Sequence, residues 1–394
     1  DEIAVWALGS NGRYILSNQV FETYGLDDGH AYFTSVLDSP MPEGRYTYYC
    51  SYPAPLSATG TILDFMLPTE QDGKVSGGAD IMLATPVSHG ALTPLKEEED
   101  HSGMTLEMNR MLHQFRFWVP AENHLLDGTS IERMVLTFPV PVAGNVQVDA
   151  SNPSKAPVLT SGYKEITLDL KEPISSARQN YACVALLPVT FPQGQSLQIK
   201  AYTSDKIVKI DPVDLRGKTC LPGHSTPVML MVKSVSEFPY RLTVKVGSNN
   251  LGEDPNSIRI QAPSGCIWPG SNSNVFTYAP GHKVRTGEEI VFKFEDEAQY
   301  RAFSNKTLSV TYDSDNTITY QSVKMPDLSS NDKGSISLTV PYLFYEDFSG
   351  IPSFNDGHDN PSVGVDSDTY KGITELSSKS SVLSGWYGTR IGGQ

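Results

Sequence analysis

Ile3-Ala4-Val5-Trp6-Ala7-Leu8, then Gly9-Ser10-Asn11-Gly12, then the alternation Tyr14, Leu16, Asn18, Val20: residues 3–20 read as two strands joined by a tight turn. The first run is continuously apolar and the second changes side with period two. Asn-Gly between such runs is the strongest short-range hairpin signal, because both residues tolerate positive φ. The same grammar continues outward. Residues 45–52 end at Pro53, residues 61–67 end at Pro68, and residues 79–84 follow a Gly-Gly break. Further strands are expected at 104–108, 115–119, 134–138, 145–148, 165–170, 182–188, 197–202 and 228–232. The apolar run 182–188 suits a strand buried on both faces. The texture restarts beyond residue 236, with strands expected at 240–246, 290–294, 308–312 and 335–340. Turn signals about every 8–15 residues between period-two runs argue a sandwich or barrel. One short helix is expected, over 295–303.

Composition agrees with an all-β chain of several domains. The 394 residues are 39% hydrophobic and include 19 tyrosines, enough for more than one core, while 32 glycines and 27 prolines suit many tight turns. The net charge of −15 argues against nucleic acid as a partner, since phosphate binding needs a basic face. No apolar run is long enough for a transmembrane helix. The chain opens directly on a strand, so a mature or trimmed chain is expected, with its targeting segment upstream. Cys50, Cys183, Cys220 and Cys266 form no CxxC or Cys/His cluster, which excludes the usual zinc spacings. Cys183 and Cys220 are a candidate disulfide in an exported protein, and the alternative is four small buried apolar side chains.

No catalytic residues are assigned, and a non-enzymatic protein is expected. The histidines form no HExxH, and no GxSxG, Walker A or GxGxxG follows a strand. Glu295-Asp296-Glu297 suits the start of a helix, and the charge run 96–101 a solvated loop. No cofactor is expected, with calcium as the one candidate. Glu346, Asp347, Asp356, Asp359, Asp366 and Asp368 offer the hard oxygen ligands that Ca²⁺ prefers, but in no EF-hand spacing, and a plain acidic loop fits as well. Trp386-Tyr387 is a candidate sugar-stacking pair, with a core pair or tail as the alternative, and Asn305-Lys306-Thr307 is a lone glycosylation sequon.

Residues 1–235 resemble the fimbrillin (FimA/Mfa-like) family, the type V pilus subunits of Bacteroidales. The features are the opening hairpin, Tyr48-Tyr49-Cys50-Ser51-Tyr52-Pro53, residues 79–84, Leu112-His113-Gln114-Phe115-Arg116-Phe117, and Ala185-Leu186-Leu187-Pro188 with Phe191 and Gly194. Taken in order, they span most of that stretch. The resemblance implies tandem transthyretin-like or Ig-like antiparallel β-sandwiches, lipoprotein export to the outer membrane, and assembly by strand exchange. In that family an arginine-specific protease removes the first strand, and a partner's extended segment fills the groove. This chain would begin at the strand left after cleavage. Arg13 in a turn and Arg45 at a strand start do not suit the maturation site.

The domains expected are a fimbrillin-like sandwich at 1–112, a second at 113–235, an added sandwich at 236–342, and a Ser/Gly/Asp-rich tail or truncated jelly-roll start at 343–394. Added C-terminal domains suit a tip or accessory adhesion subunit at the cell surface. Its partners would be other pilus subunits, and a host or bacterial surface glycan or protein. The alternative is a glycan-binding surface lipoprotein that never polymerises, recognisable by an exposed aromatic platform. A glycoside-acting enzyme lacking its catalytic part would need two carboxylates about 5–10 Å apart in a cleft.

Overall fold

The computed structural model describes residues 2–340 apart from 28, 76, 94–102, 179, 250–253, 272 and 316–317. The calcium candidates, Trp386-Tyr387, the 343–394 segment and the charge run 96–101 therefore lie outside the described residues. The chain is all-β and divides into two compact units, Asp1–Glu237 and Phe238–Gln394.

In the first unit, the sheet built on the opening hairpin runs in the order Met108–Arg110, Met82–Ala84, Arg45–Tyr52, Glu2–Gly9, Tyr14–Asp27, His30–Thr34. Val87–Gly90 also pairs with Arg45–Tyr52. The hairpin forms, but with a longer turn than Asn-Gly implies. Gly9 N–H donates to Arg13 O at 2.8 Å, and of the two turn residues only Gly12 takes positive φ, at 74°. The expected alternation then breaks. Ala7 lies opposite Leu16 but Val5 opposite Gln19, and Asn18 accommodates the extra residue at φ 54°. A bulge of this kind shifts side-chain phase by one, so Leu16 is buried while Val20 is 37% exposed.

Three further sheets complete the unit. One places His113–Trp118 between antiparallel Ala182–Leu186 and parallel Ser225–Met229. The second runs Val158–Tyr163, Ala143–Asp149, Ile62–Leu67, Ser57–Thr59. The third runs Val232–Glu237, Lys206–Ile210, Ser196–Tyr202, Ile131–Thr137, Glu165–Ile174, Glu70–Gln71. Hydrogen bonding crosses the boundary expected at 112/113. Ile62–Leu67 pairs with Ala143–Asp149, Glu70–Gln71 pairs with Glu165–Ile174, and one core holds both Trp6 and Phe115. Shared apolar burial, rather than order along the chain, joins these strands.

Two expected strands are redistributed. Residues 104–108 give way to a strand at Met108–Arg110, held by a fork from Arg110 to the buried Asp80 carboxylate at 2.8 and 3.0 Å. The run 228–232 divides between Ser225–Met229 and Val232–Glu237, which belong to different sheets, with Leu230 fully buried between them. All four cysteines are free, so Cys183 and Cys220 form no disulfide. Cys50, Cys220 and Cys266 are buried as small apolar side chains, and Cys183 is half-buried.

A side chain finishes one sheet edge. The Gln71 amide donates to Ala185 O and accepts from Ala185 N–H, both at 2.9 Å, and Cys183 N–H donates to Gly73 O at 2.7 Å. Gln71 thus stands in for a neighbouring strand along Ala182–Leu186, a run buried at every residue but the half-buried Cys183. Gln71→Leu is expected to strand both backbone groups of Ala185 in the core and to cost about 2–3 kcal/mol. A urea midpoint matching the wild type would contradict that role.

The second unit has a three-stranded sheet, with Tyr240–Asn249 between antiparallel Glu289–Phe294 and parallel Lys333–Val340. A four-stranded sheet runs Val275–Tyr278, Ser257–Gln261, Thr307–Asp313, Ile318–Lys324. Its core centres on Trp268, stacked on Phe292 at 3.9 Å, with Phe294, Tyr300 and Phe303 around them. The expected helix is the shorter Glu297–Arg301. Asp296 caps it by accepting from Gln299 N–H at 2.8 Å, which gives the acidic run a structural role.

Candidate functional site

The opening strand Glu2–Gly9 occupies a slot between two longer strands. On one side Ile3, Ala4 and Val5 face Phe21, Val20 and Gln19; on the other, Val5, Trp6 and Ala7 face Cys50, Tyr49 and Tyr48. Successive side chains of a strand point to opposite faces, and here both faces are buried. Ala4 and Trp6 enter the large core of the first unit. Ile3, Val5 and Ala7 enter a second core with Leu16, Met41, Tyr46, Tyr48 and Cys50. Continuous apolarity from Ile3 to Leu8, rather than alternation, is the sequence signature of this double burial.

The slot is apolar, and burial favours the neutral form of two of its groups, Cys50 and Tyr48. Burial pushes the Cys50 thiol up to about 12. Burial, with Tyr46 nearby, pushes the Tyr48 hydroxyl up to about 12, and that hydroxyl donates to Gly90 O at 2.7 Å. One group is badly placed: Trp6 Nε1 is buried with no hydrogen-bond partner among the described residues. An orphaned donor costs about 1–3 kcal/mol, so the resident strand is held less firmly than its apolar area alone would hold it. Removing the strand would leave two rows of backbone N–H and C=O groups flanking an apolar trough, which is a template for strand addition.

The turn at 10–13 is the one connection between this strand and the rest of the unit on its C-terminal side. Arg13 is exposed there, its N–H bonded to Asn11 Oδ1 at 3.0 Å, while Arg45 begins the neighbouring strand with Nε 3.4 Å from Ser88 Oγ. Arg13 therefore lies in a hydrogen-bonded turn and Arg45 in a paired strand. Asn305 of the sequon sits in an exposed turn at φ 57°. Among the described residues, no group of three His, Cys, Asp or Glu side chains is placed to hold a metal ion.

His113, in the strand that carries the family-like motif, is a buried tie rather than a ligand. Its Nδ1 lies 2.9 Å from Leu221 O and its Nε2 2.8 Å from Thr226 Oγ1. Only a donor can serve a carbonyl, so Nδ1–H donates and the neutral ring's Nε2 accepts from the hydroxyl. Burial, with Lys218 and His224 nearby, lowers its pKa below the ordinary 6.5. A folded-state pKa below the unfolded value means the unfolded chain takes up the proton first. His113 should therefore cost the fold nothing above about pH 6.5 and weaken it progressively as pH falls through the window below. The urea midpoint of His113→Gln should be less pH-dependent there than that of the wild type. Equal slopes would contradict this account.

No family model matches the chain, and no curated protein matches it significantly. Solved structures do resemble it. A candidate cell adhesion protein of Bacteroides uniformis is similar at 14% identity and a TM-score of 0.42, over 60% of this chain and 91% of that one. A candidate polysaccharide-binding protein of Bacteroides thetaiotaomicron is similar at 12% identity and 0.30, over 60% and 89%. The fimbrial anchor protein Mfa2 of Porphyromonas gingivalis is similar at 11% identity and 0.26, over 59% and 87%. Adhesion and fimbrial proteins thus stand among the similar structures, in keeping with the resemblance read from the sequence.

Proposed function

We propose that this chain is a non-enzymatic cell-surface adhesion protein of the fimbrial-subunit kind, a tip or accessory subunit that joins its neighbours by β-strand complementation. The observation that carries the reading is the opening strand. It is buried on both faces, paired on both edges and burdened by an orphaned indole N–H. An extended segment of a partner subunit that replaced it would regain both ladders and both apolar faces. With its own strand in place, the chain corresponds to the state before exchange or to a terminal subunit. Export as an outer-membrane lipoprotein belongs to the same reading.

The test is made on cells. Protease treatment of intact cells should strip the protein, and cells lacking its gene should adhere less and carry shorter or fewer surface fibres. Protein that survives treatment of intact cells contradicts the surface location. Unchanged adherence and fibres contradict the adhesive role. The second reading, a glycan-binding surface protein that does not polymerise, is favoured by a separate feature, the outer face of the three-stranded sheet around His113–Trp118.

A further inference from the structure

The strand His113–Trp118 alternates strictly. His113, Phe115 and Phe117 are buried, while Gln114, Arg116 and Trp118 lie on the opposite face and stay partly exposed. Pairing places Arg116 between Cys183 and Pro227, and Trp118 opposite Met229. Tyr181 and Met229 are 50% and 45% exposed, so this face presents two aromatic rings, a thioether and one cation to solvent. The Arg116 guanidinium carbon sits 5.4 Å from the centre of the Tyr181 ring, a cation–π contact that fixes its plane.

What the guanidinium lacks is an acceptor. Its Nε is buried without a hydrogen-bond partner, and no carboxylate or carbonyl among the described residues accepts from the group. Arg110, by comparison, is forked onto Asp80, and Arg133, whose Nε is likewise without a hydrogen bond, at least has the Asp169 carboxylate 3.3 Å away. With Nε buried, the terminal nitrogens of this partly exposed, ring-held guanidinium are the donors left for a carboxylate from outside.

We propose that this face binds an acidic glycan, taking a hexuronic acid residue with its carboxylate on Arg116 and a sugar ring against Tyr181 or Trp118. A pyranose ring has an apolar C–H face that suits the electron-rich face of an aromatic ring. Gln114, on the same face, supplies a neutral amide for hydroxyl groups. The platform is on a different sheet from the strand slot and stands or falls independently of strand assembly.

The experiment is calorimetric titration of the full chain with oligomers of galacturonic, glucuronic and mannuronic acid, with neutral oligosaccharides of matched length, and with a glutamate oligomer. Binding is expected for at least one uronic acid oligomer and to weaken with salt, while the neutral sugars and the peptide bind at least about tenfold more weakly. Arg116→Gln should weaken the uronate by about tenfold or more, and Arg116→Lys, which keeps charge but not the fork, by less. Tyr181→Ala should weaken it with the thermal midpoint unchanged. The proposal is overturned if no uronic acid oligomer binds, if the neutral sugars or the peptide bind equally well, or if a folded Arg116→Gln or Arg116→Lys protein and a folded Tyr181→Ala protein all bind as the wild type does.

Discussion

Trp6→Ala is expected to destabilise the first unit by about 3–5 kcal/mol, the usual cost of emptying a large aromatic site in a core. Trp6 is fully buried and belongs to the core that also holds Tyr49, Phe65 and Phe115. Central placement makes collapse of the cavity difficult, because the strand is pinned on both edges by Tyr14–Asp27 and Arg45–Tyr52. Trp6→Phe should behave very differently. It loses part of the ring volume but also removes the orphaned N–H, and deleting an unsatisfied buried donor is close to neutral or stabilising, so the net cost should stay near or below about 1 kcal/mol. Urea denaturation of the two variants checks the pair. Equal losses would mean that the indole N–H is satisfied in solution.

Phe115→Ala is the second large effect, again about 3–5 kcal/mol. Phe115 is fully buried, with ring centroids of His113, Phe117, Phe138 and Phe191 at 5.7, 6.2, 6.0 and 6.2 Å. Edge-to-face and tilted aromatic pairs add to area burial, and the partners come from Phe115's own strand and from the connections that follow Ile131–Thr137 and Ala182–Leu186, so the loss spreads beyond one strand. Phe115→Leu should cost far less. It fills most of the volume, leaving only the ring contacts missing. A Phe115→Ala midpoint within experimental error of the wild type would show that the cluster is not the keystone of this core.

Much of this architecture was legible in the sequence, for identifiable reasons. Period-two alternation is enforced by one-sided burial, so 240–246, 290–294 and 335–340 read correctly as strands. Continuous apolarity in Ile3–Leu8 signalled double burial. The alternation of Phe115 and Phe117 with Arg116 and Trp118 already separated core from outer face, although nothing in the sequence said that Arg116 lacked an anion. Three features had no local signal. The bulge at Asn18 changes phase without changing composition. Gln71 mimics a strand through contacts 114 residues away. The corner at Leu230 divides one apolar run between two sheets, because tertiary packing, not propensity, decides where a strand changes partners.

The central claim is that the slot of the opening strand can be filled in trans, and the most direct measurement is amide hydrogen exchange on a chain lacking residues 1–13, with and without a peptide of the Glu2–Gly9 sequence. The account predicts that Arg45–Tyr52 and the facing part of Tyr14–Asp27 lose protection in the shortened chain and regain it with the peptide, but not with a scrambled peptide of the same composition. A shortened chain that closes over the slot and keeps its protection, or one that never takes up the peptide, would contradict strand complementation.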